Sequence, residues 1–201
     1  MRPIPLTLAA CLAPAAVFAQ AICPAEEDLE KGIRFDVAGG EYETFQRTGD
    51  DIITSRYYFD AQSGLRSLLA KGMYLVETVD FEDGSLLTDT RTTYSYPLKP
   101  AEMPDVAAGL TWNTAAVTLG PDGLGQEAQT YSFGDERTIV IGACSFRMIP
   151  VTIRYPAQDS GDAGDVDTIH YLLDVGVGYL AAASGPDFND TYDYIGVSLL
   201  P

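Results

Sequence analysis

Residues 137–155 constrain the fold of this chain more than any other stretch. They read Arg-Thr-Ile-Val-Ile-Gly-Ala-Cys-Ser-Phe-Arg-Met-Ile-Pro-Val-Thr-Ile-Arg-Tyr, a run dense in β-branched and aromatic residues. Such residues favour strands, so the run predicts two buried strand segments that meet at Gly142 and Ala143. In the second segment, alternate residues share one face: Ile149, Val151, Ile153 and Tyr155.

Similar but shorter runs recur along the chain, separated by glycine, Asp-Gly and proline turns. Residues 25–31 predict one or two turns of helix, and the proline-rich residues 98–108 predict a long loop. This pattern predicts an all-β fold, an antiparallel meander forming a barrel, half-barrel or sandwich, with at most one short N-terminal helix. The other predicted strands cover residues 33–37, 42–47, 52–59, 65–69, 73–81, 88–96, 112–119, 127–133, 168–173, 178–183 and 192–200.

The first 21 residues have the form of an export signal. Arg2 precedes the apolar residues 6–18, and Ala19-Gln20-Ala21 matches the small-x-small pattern that signal peptidase cleaves after. The apolar run is too short and too rich in proline to span a bilayer, and no later stretch predicts a transmembrane segment. We therefore expect a signal peptide over residues 1–21 and a single all-β domain over residues 22–201, either periplasmic or secreted.

A lipoprotein is the alternative interpretation. Residues 8–11, Leu-Ala-Ala-Cys, have the form of a lipoprotein box, in which Cys11 would be acylated. The segment before Cys11 is short for a leader, and residues 12–18 stay apolar where a lipoprotein usually continues with a polar tether. These two features favour export without lipid.

Removal of the leader leaves two cysteines, Cys23 and Cys144. An even pair in an exported chain predicts a disulfide. A loop of about 120 residues would gain about 4–5 kcal/mol from the bond in the chain-entropy picture. A redox role is disfavoured because the C-x-x-C spacing is missing.

The chain is strongly acidic, with 29 acidic and 12 basic residues and a net charge of −17. Loss of Arg2 with the leader makes the charge −18. Such a surface repels phosphate backbones and anionic headgroups, so we expect no nucleic-acid partner. An envelope protein or an apolar ligand is the expected partner, and no cofactor is predicted.

Few residues are candidates for chemistry. His170 is the one histidine, and without a G-x-S-x-G elbow a structural role is favoured over a catalytic one. No catalytic residue is assigned. The acidic, glycine-rich residues 159–167 are a weak calcium candidate, because carboxylates there can converge on one ion. A solvated hairpin tip is the favoured interpretation of these carboxylates: Asp159, Asp162, Asp165 and Asp167.

The twelve tyrosines allow two interpretations. The clusters Tyr57-Tyr58, Tyr94-x-Tyr96 and Tyr192-x-Tyr194 could line a face that binds sugar or lipid. Tyrosine is also an ordinary strand residue at a sheet surface, and this second interpretation is favoured.

Four short motifs in the C-terminal half carry a resemblance. They are Gly-Leu-Thr-Trp at 109–112, Tyr-Ser-Phe at 131–133, Ile-Gly-Ala-Cys-Ser-Phe at 141–146 and Tyr-Leu-Leu-Asp-Val-Gly-Val-Gly-Tyr at 171–179. In their order they resemble uncharacterised bacterial periplasmic β-proteins, which are similar in fold to curved-sheet carriers of lipid or lipoprotein. The resemblance implies a concave face that holds a ligand, and it implies no catalytic residues.

We therefore expect a non-enzymatic exported β-domain that binds an apolar ligand or a protein partner in a curved sheet. A secreted hydrolase using acidic residues and an envelope assembly component without a small ligand are the alternatives. The ligand-binding residues are not identifiable from the sequence.

Overall fold

The computed structural model describes residues 23–156 and 164–201, and these form 15 β-strands and three short 3₁₀ helices. The 3₁₀ helices span Glu26–Glu30, Thr88–Thr90 and Pro100–Glu102. The strands are β1 (Ile33–Val37), β2 (Tyr42–Gly49), β3 (Ile52–Tyr58), β4 (Ser63–Ala70), β5 (Tyr74–Glu82), β6 (Ser85–Leu86), β7 (Thr92–Ser95), β8 (Thr111–Gly120), β9 (Gly123–Phe133), β10 (Arg137–Ile141), β11 (Cys144–Tyr155), β12 (Asp165–Leu172), β13 (Val177–Gly185), β14 (Phe188–Thr191) and β15 (Tyr194–Leu199).

All strands belong to one antiparallel sheet, and most of them pair with their neighbours along the chain. The order is β14-β13-β12-β11-β9-β8-β7-β5-β4-β3-β2-β1-β15, with β10 paired to β11 and β6 to β5. The predicted all-β antiparallel meander is confirmed. In the described residues the sheet curls without closing, because β14 and β15 remain its two edges.

Close backbone contacts hold the curl. The amide of Gly178 donates to the carbonyl of Gly72 at 2.8 Å, which joins the β4–β5 turn to the start of β13. Gly72 has a φ of +69°, and a Cβ atom there would lie 2.1 Å from the carbonyl oxygen of Gly176. Only glycine combines this conformation with so close an approach.

The run at 137–155 forms the predicted pair of strands, with β10 and β11 meeting at Gly142 and Ala143. Both faces of β11 are buried. Phe146 and Met148 point to one side, whereas Ile149 and Val151 point to the other and belong to a different apolar cluster. Neighbouring side chains of a strand point to opposite faces, so β11 separates two interiors.

One interior is densely packed, and we call it the closed core. It lies between β1 to β3 and one face of β10 to β13. Cys144 is part of it and forms a disulfide with Cys23, with a Cα–Cα distance of 5.4 Å. The predicted bond is therefore present. The buried residues of the closed core are Leu29, Ile33, Phe35, Val37, Phe45, Ile53, Leu69, Ile141, Cys144, Phe146, Met148, Leu172, Val175, Val177, Tyr179 and Tyr194.

Several predicted elements differ from those of the structure. Residues 88–96 were predicted as one strand, but a 3₁₀ helix precedes the shorter β7 because the Thr90 hydroxyl donates to the carbonyl of Leu87 at 2.8 Å. The last strand predicted at 192–200 corresponds to β15, but β14, which precedes it, was not predicted. The strands predicted at 127–133 and 168–173 begin earlier, at Gly123 and Asp165. Among the described residues, no helix has the length and hydropathy needed to cross a bilayer.

Candidate functional site: a tyrosine-lined cavity

The other interior holds a second apolar cluster, which includes Tyr131, Ile149 and Val151, and an open space beside it. A cavity of about 500 Å³ lies inside the curl, on the face of β11 to β13 that points away from the closed core. We call it the tyrosine cavity. The seven tyrosines that line it among the described residues are Tyr57, Tyr94, Tyr96, Tyr131, Tyr155, Tyr192 and Tyr194.

Four carboxylates also line the tyrosine cavity: Glu43, Glu127, Asp165 and Asp167. Within the described part of the chain, no lysine, arginine or histidine lines it. The remaining wall is mainly aliphatic, with residues such as Leu65, Leu75 and Ile153. The walls of the cavity are therefore mainly apolar, and its acidic groups are these four side chains.

Glu43 marks the inner end, where the cavity meets the closed core. The phenol hydroxyl of Tyr194 donates to Glu43 Oε2 at 2.5 Å, and the hydroxyl of Ser55 donates to Glu43 Oε1. The ring of Tyr194 packs on that of Tyr179, with centroids 3.9 Å apart. Burial raises the pKa of Glu43 to about 7, against the opposing effect of the two hydroxyl donors. Near neutral pH this carboxyl is therefore partly protonated.

Hydrogen-bonded polar side chains of β9, together with Tyr96 after β7, form one wall. Tyr131 Oη donates to Gln129 Oε1 at 2.7 Å, and Tyr96 Oη donates to the same atom at 3.1 Å. Gln129 Nε2 in turn donates to Glu127 Oε1 at 2.5 Å. The Tyr131 ring lies 5.3 Å from that of Trp112, centroid to centroid. These contacts fix the orientation of the wall before any ligand arrives.

Asp167 and Tyr155 form a second polar pair, on β12 and β11. Tyr155 Oη donates to Asp167 Oδ2 at 2.9 Å. Burial raises the pKa of Asp167, and the negative charges of Asp165 and Glu127 add to the rise, whereas the Tyr155 hydroxyl opposes it. The carboxyl groups of Asp165, Asp167 and Glu127 therefore lie close enough to influence one another.

Two phenylalanines mark the mouth. Phe59 and Phe188 line the tyrosine cavity and yet are 54% and 42% exposed. Tyr131, at the deep side, is only 2% exposed. The gradient from exposed to buried rings gives an entering molecule apolar contact along its path.

The tyrosine clusters singled out in the sequence meet at this site. Five of their six members line the cavity, and the sixth, Tyr58, lies on the opposite face and stacks on Tyr42 at 4.3 Å between centroids. Glu43 was not predicted as a site residue, although its alternation with the buried Phe45 on β2 was a signal that it points inward.

Only part of the candidate calcium site lies within the described residues. Asp159 and Asp162 lie outside the described residues, whereas Asp165 and Asp167 are strand residues of β12 that line the tyrosine cavity. In residues 23–156 and 164–201, no three acidic, histidine or cysteine side chains converge as metal ligands.

His170 lies on the other face of β12. Its Nδ1 is 3.1 Å from the hydroxyl of Tyr179, in the closed core. Burial lowers the pKa of His170, and the positive charge of Arg137 lowers it further.

The solved structure of the hypothetical lipoprotein YmcC from Escherichia coli K12 is similar to this chain with a TM-score of 0.46 and 10% sequence identity, over 84% of each chain. No protein-family model and no curated protein matches the sequence. At this level of similarity, function has to be inferred from the chain's own residues.

Proposed function

We propose that this protein is an exported, non-enzymatic binding domain that holds a small molecule with an apolar body in the tyrosine cavity. The observation that carries the proposal is the cavity itself. Small-molecule sites usually enclose about 300–1,000 Å³ and combine apolar walls with a few fixed polar groups. The tyrosine cavity, at about 500 Å³, meets both conditions.

The rigidity of the walls supports the proposal. A sheet of 15 strands holds the lining residues, and hydrogen bonds such as Tyr131 to Gln129 orient the polar ones. A site of this kind loses little conformational entropy when a ligand binds, because its side chains are already ordered. Export to the periplasm or the exterior, with residues 1–21 as a leader, remains part of the proposal.

A secreted hydrolase is the second candidate, and Glu43 favours it. Its pKa of about 7 suits a general acid near neutral pH. Against this, hydroxyl groups of Ser55 and Tyr194 donate to both of its oxygens. An acid in catalysis needs a free oxygen facing the substrate, so binding without a chemical step is the better-supported function.

Filling the cavity tests the proposal. Ser67 lies on β4, lines the tyrosine cavity and pairs with Ser55 and Thr78 on the neighbouring strands. The substitution Ser67→Trp places a large ring in the empty volume. Val117→Trp is the matched control, because Val117 is 45% exposed on β8 and outside the cavity.

We expect native mass spectrometry of the wild-type protein from its own host to show a co-purified small molecule. The Val117→Trp variant should retain it and the Ser67→Trp variant should lose it while keeping the β-sheet circular-dichroism spectrum. Retention by Ser67→Trp would contradict the proposal. Turnover of glycan or ester substrates that disappears in Glu43→Gln would favour the hydrolase instead.

A further inference from the structure

We propose that the ligand of the tyrosine cavity is an organic cation, a positively charged nitrogen on an apolar body. This inference rests on the proposed function and specifies the chemical class of its ligand. It follows from the unequal charge of the lining, which holds four carboxylates and, among the described residues, no basic side chain.

Three of the four carboxylates lie toward one part of the wall, where the charges of Asp165 and Glu127 act on Asp167. Asp167 and Asp165 lie on β12, and Glu127 lies on β9. Asp167 and Glu127 are half-buried, whereas Asp165 is exposed. Holding such groups together without a counter-charge is unfavourable, because the half-buried ones lose hydration and all three repel one another. A bound cation would remove both costs, whereas an anionic headgroup would add to them.

Aromatic rings lie beside these carboxylates. Tyr155 donates its hydroxyl to Asp167, and the negative charges of Glu127 and Asp167 both act on Tyr94. Rings of tyrosine attract cations through their faces, and aromatic cages of this type recognise substituted ammonium groups. Carboxylates and phenol rings together therefore favour an ammonium over a bare metal ion, which would need converging oxygen ligands.

The apolar wall accounts for the body of the ligand. Leu65, Leu75 and Ile153 face the cavity, and the exposed rings of Phe59 and Phe188 stand at its mouth. An alkyl chain contacts these groups while the nitrogen remains among the acidic ones. A fatty acid would fit the wall but place a carboxylate beside Asp167.

The test is isothermal titration calorimetry of the full mature chain at pH 7.5 with three probes that share one alkyl chain: hexyltrimethylammonium, hexan-1-ol and hexanoate. We expect the cation to bind about tenfold more tightly than the alcohol, a difference in the range of combined charge and cation–π attraction. Hexanoate should bind most weakly.

Matched variants distinguish binding inside the cavity from general attraction to the acidic surface. Asp167→Asn should weaken hexyltrimethylammonium about fivefold or more and leave hexan-1-ol unchanged, because only the charged group is lost. Asp122→Asn removes the same charge from the exposed β8–β9 turn and should change neither. Equal weakening by both variants would show surface attraction only and would overturn the inference.

The inference and the proposed function fail in different ways. If hexan-1-ol or hexanoate binds as tightly as the cation, and Ser67→Trp abolishes that binding, the ligand class is wrong but the cavity binds ligands. If none of the three probes binds, the inference is also wrong. If, in addition, the wild-type protein carries no co-purified molecule, the proposed function fails with it.

Discussion

The closed core and the tyrosine cavity lie on opposite faces of β11 to β13, and they differ in what fills them. In the closed core, Phe35, Phe45 and Tyr179 pack ring against ring, with Phe35 and Phe45 centroids 5.7 Å apart. On the other face, a second apolar cluster packs beside the tyrosine cavity, whose lining adds carboxylates and phenol hydroxyls to apolar side chains. The same strands therefore stabilise the fold on one face and leave room for a ligand on the other.

Because of this difference, we expect the two regions to contribute separately to the stability of the fold and to ligand binding. Substitutions in the closed core should lower the free energy of unfolding, and substitutions in the tyrosine cavity should mainly alter ligand affinity. Glu43 and Tyr194 join the two regions, because the ring of Tyr194 is in the closed core and its hydroxyl reaches a cavity carboxyl.

The largest effect is expected from the disulfide, which ends in the closed core at Cys144. The double variant Cys23→Ser/Cys144→Ser should lose about 4 kcal/mol of unfolding free energy, since the bond closes a loop with a sequence separation of 121 residues. Urea denaturation followed by tryptophan fluorescence measures the loss. A loss of unfolding free energy below about 1 kcal/mol would contradict a major stabilising role for the disulfide.

A matched pair of leucines compares the two regions directly. Leu172 is fully buried in the closed core, whereas Leu65 is partly exposed and lines the cavity. Leu172→Ala should cost about 3 kcal/mol because it leaves a new void in packed surroundings. Leu65→Ala should cost about 1 kcal/mol because it enlarges a space that already exists.

Urea midpoints with unchanged slopes would measure both costs. Equal losses from Leu172→Ala and Leu65→Ala would mean that the cavity face is packed as densely as the closed core. The comparison on which the proposed function depends would then be wrong.

The pH dependence of stability should reveal Glu43. Folding raises its pKa from an ordinary value of 4.5 to about 7, so the folded protein holds a proton that the unfolded chain releases. Its stabilising contribution is complete below pH 4.5 and is lost as the pH rises through 7. The slope amounts to at most about 1.4 kcal/mol per pH unit.

The variant Glu43→Gln should lack this slope, and the difference from the wild type should be seen in thermal melts between pH 4.5 and 7.5. Asp60 and Asp174, whose pKa values are lowered by hydrogen bonds and by Arg147, contribute with the opposite sign and are common to both proteins. Identical pH profiles for the two proteins would show that Glu43 stays ionised and exposed to water.

The smallest effect concerns one hydroxyl group in the cavity wall. Tyr131→Phe removes the donor to Gln129 and should cost about 1 kcal/mol, the usual net value of one hydrogen bond. Tyr58→Phe, on the opposite face of β3, is the control. A loss above about 3 kcal/mol would mean that the Tyr131 hydroxyl stabilises the fold far more than one ordinary hydrogen bond does.

The sequence predicts the strands better than the site, for a physical reason. Alternation and turn residues are local, so the pairing of β10 with β11 and the span of β1 follow from short stretches. By contrast, β14 carries the polar residues Asn189 and Asp190, all four of its residues are exposed, and it is short, so its composition gives no strand signal.

The tyrosine cavity is beyond local reasoning because it collects residues from distant parts of the chain. Tyr194 Oη reaches Glu43 across 151 residues of sequence. Tyr94 and Tyr96 alternate correctly for one face, but the sequence does not indicate that β9 and β12 complete the enclosure. The curl that brings these strands together depends on contacts such as the backbone hydrogen bond between Gly178 and Gly72. No periodic pattern in the sequence predicts such a contact.

The most direct test of the central claim is a crystal structure of the mature protein soaked with hexyltrimethylammonium. We predict density for the probe inside the tyrosine cavity, with its nitrogen beside Asp167 and over the ring of Tyr155, and an unchanged closed core. A cavity filled by its own side chains, with the probe absent or bound only at the acidic surface, would contradict the account.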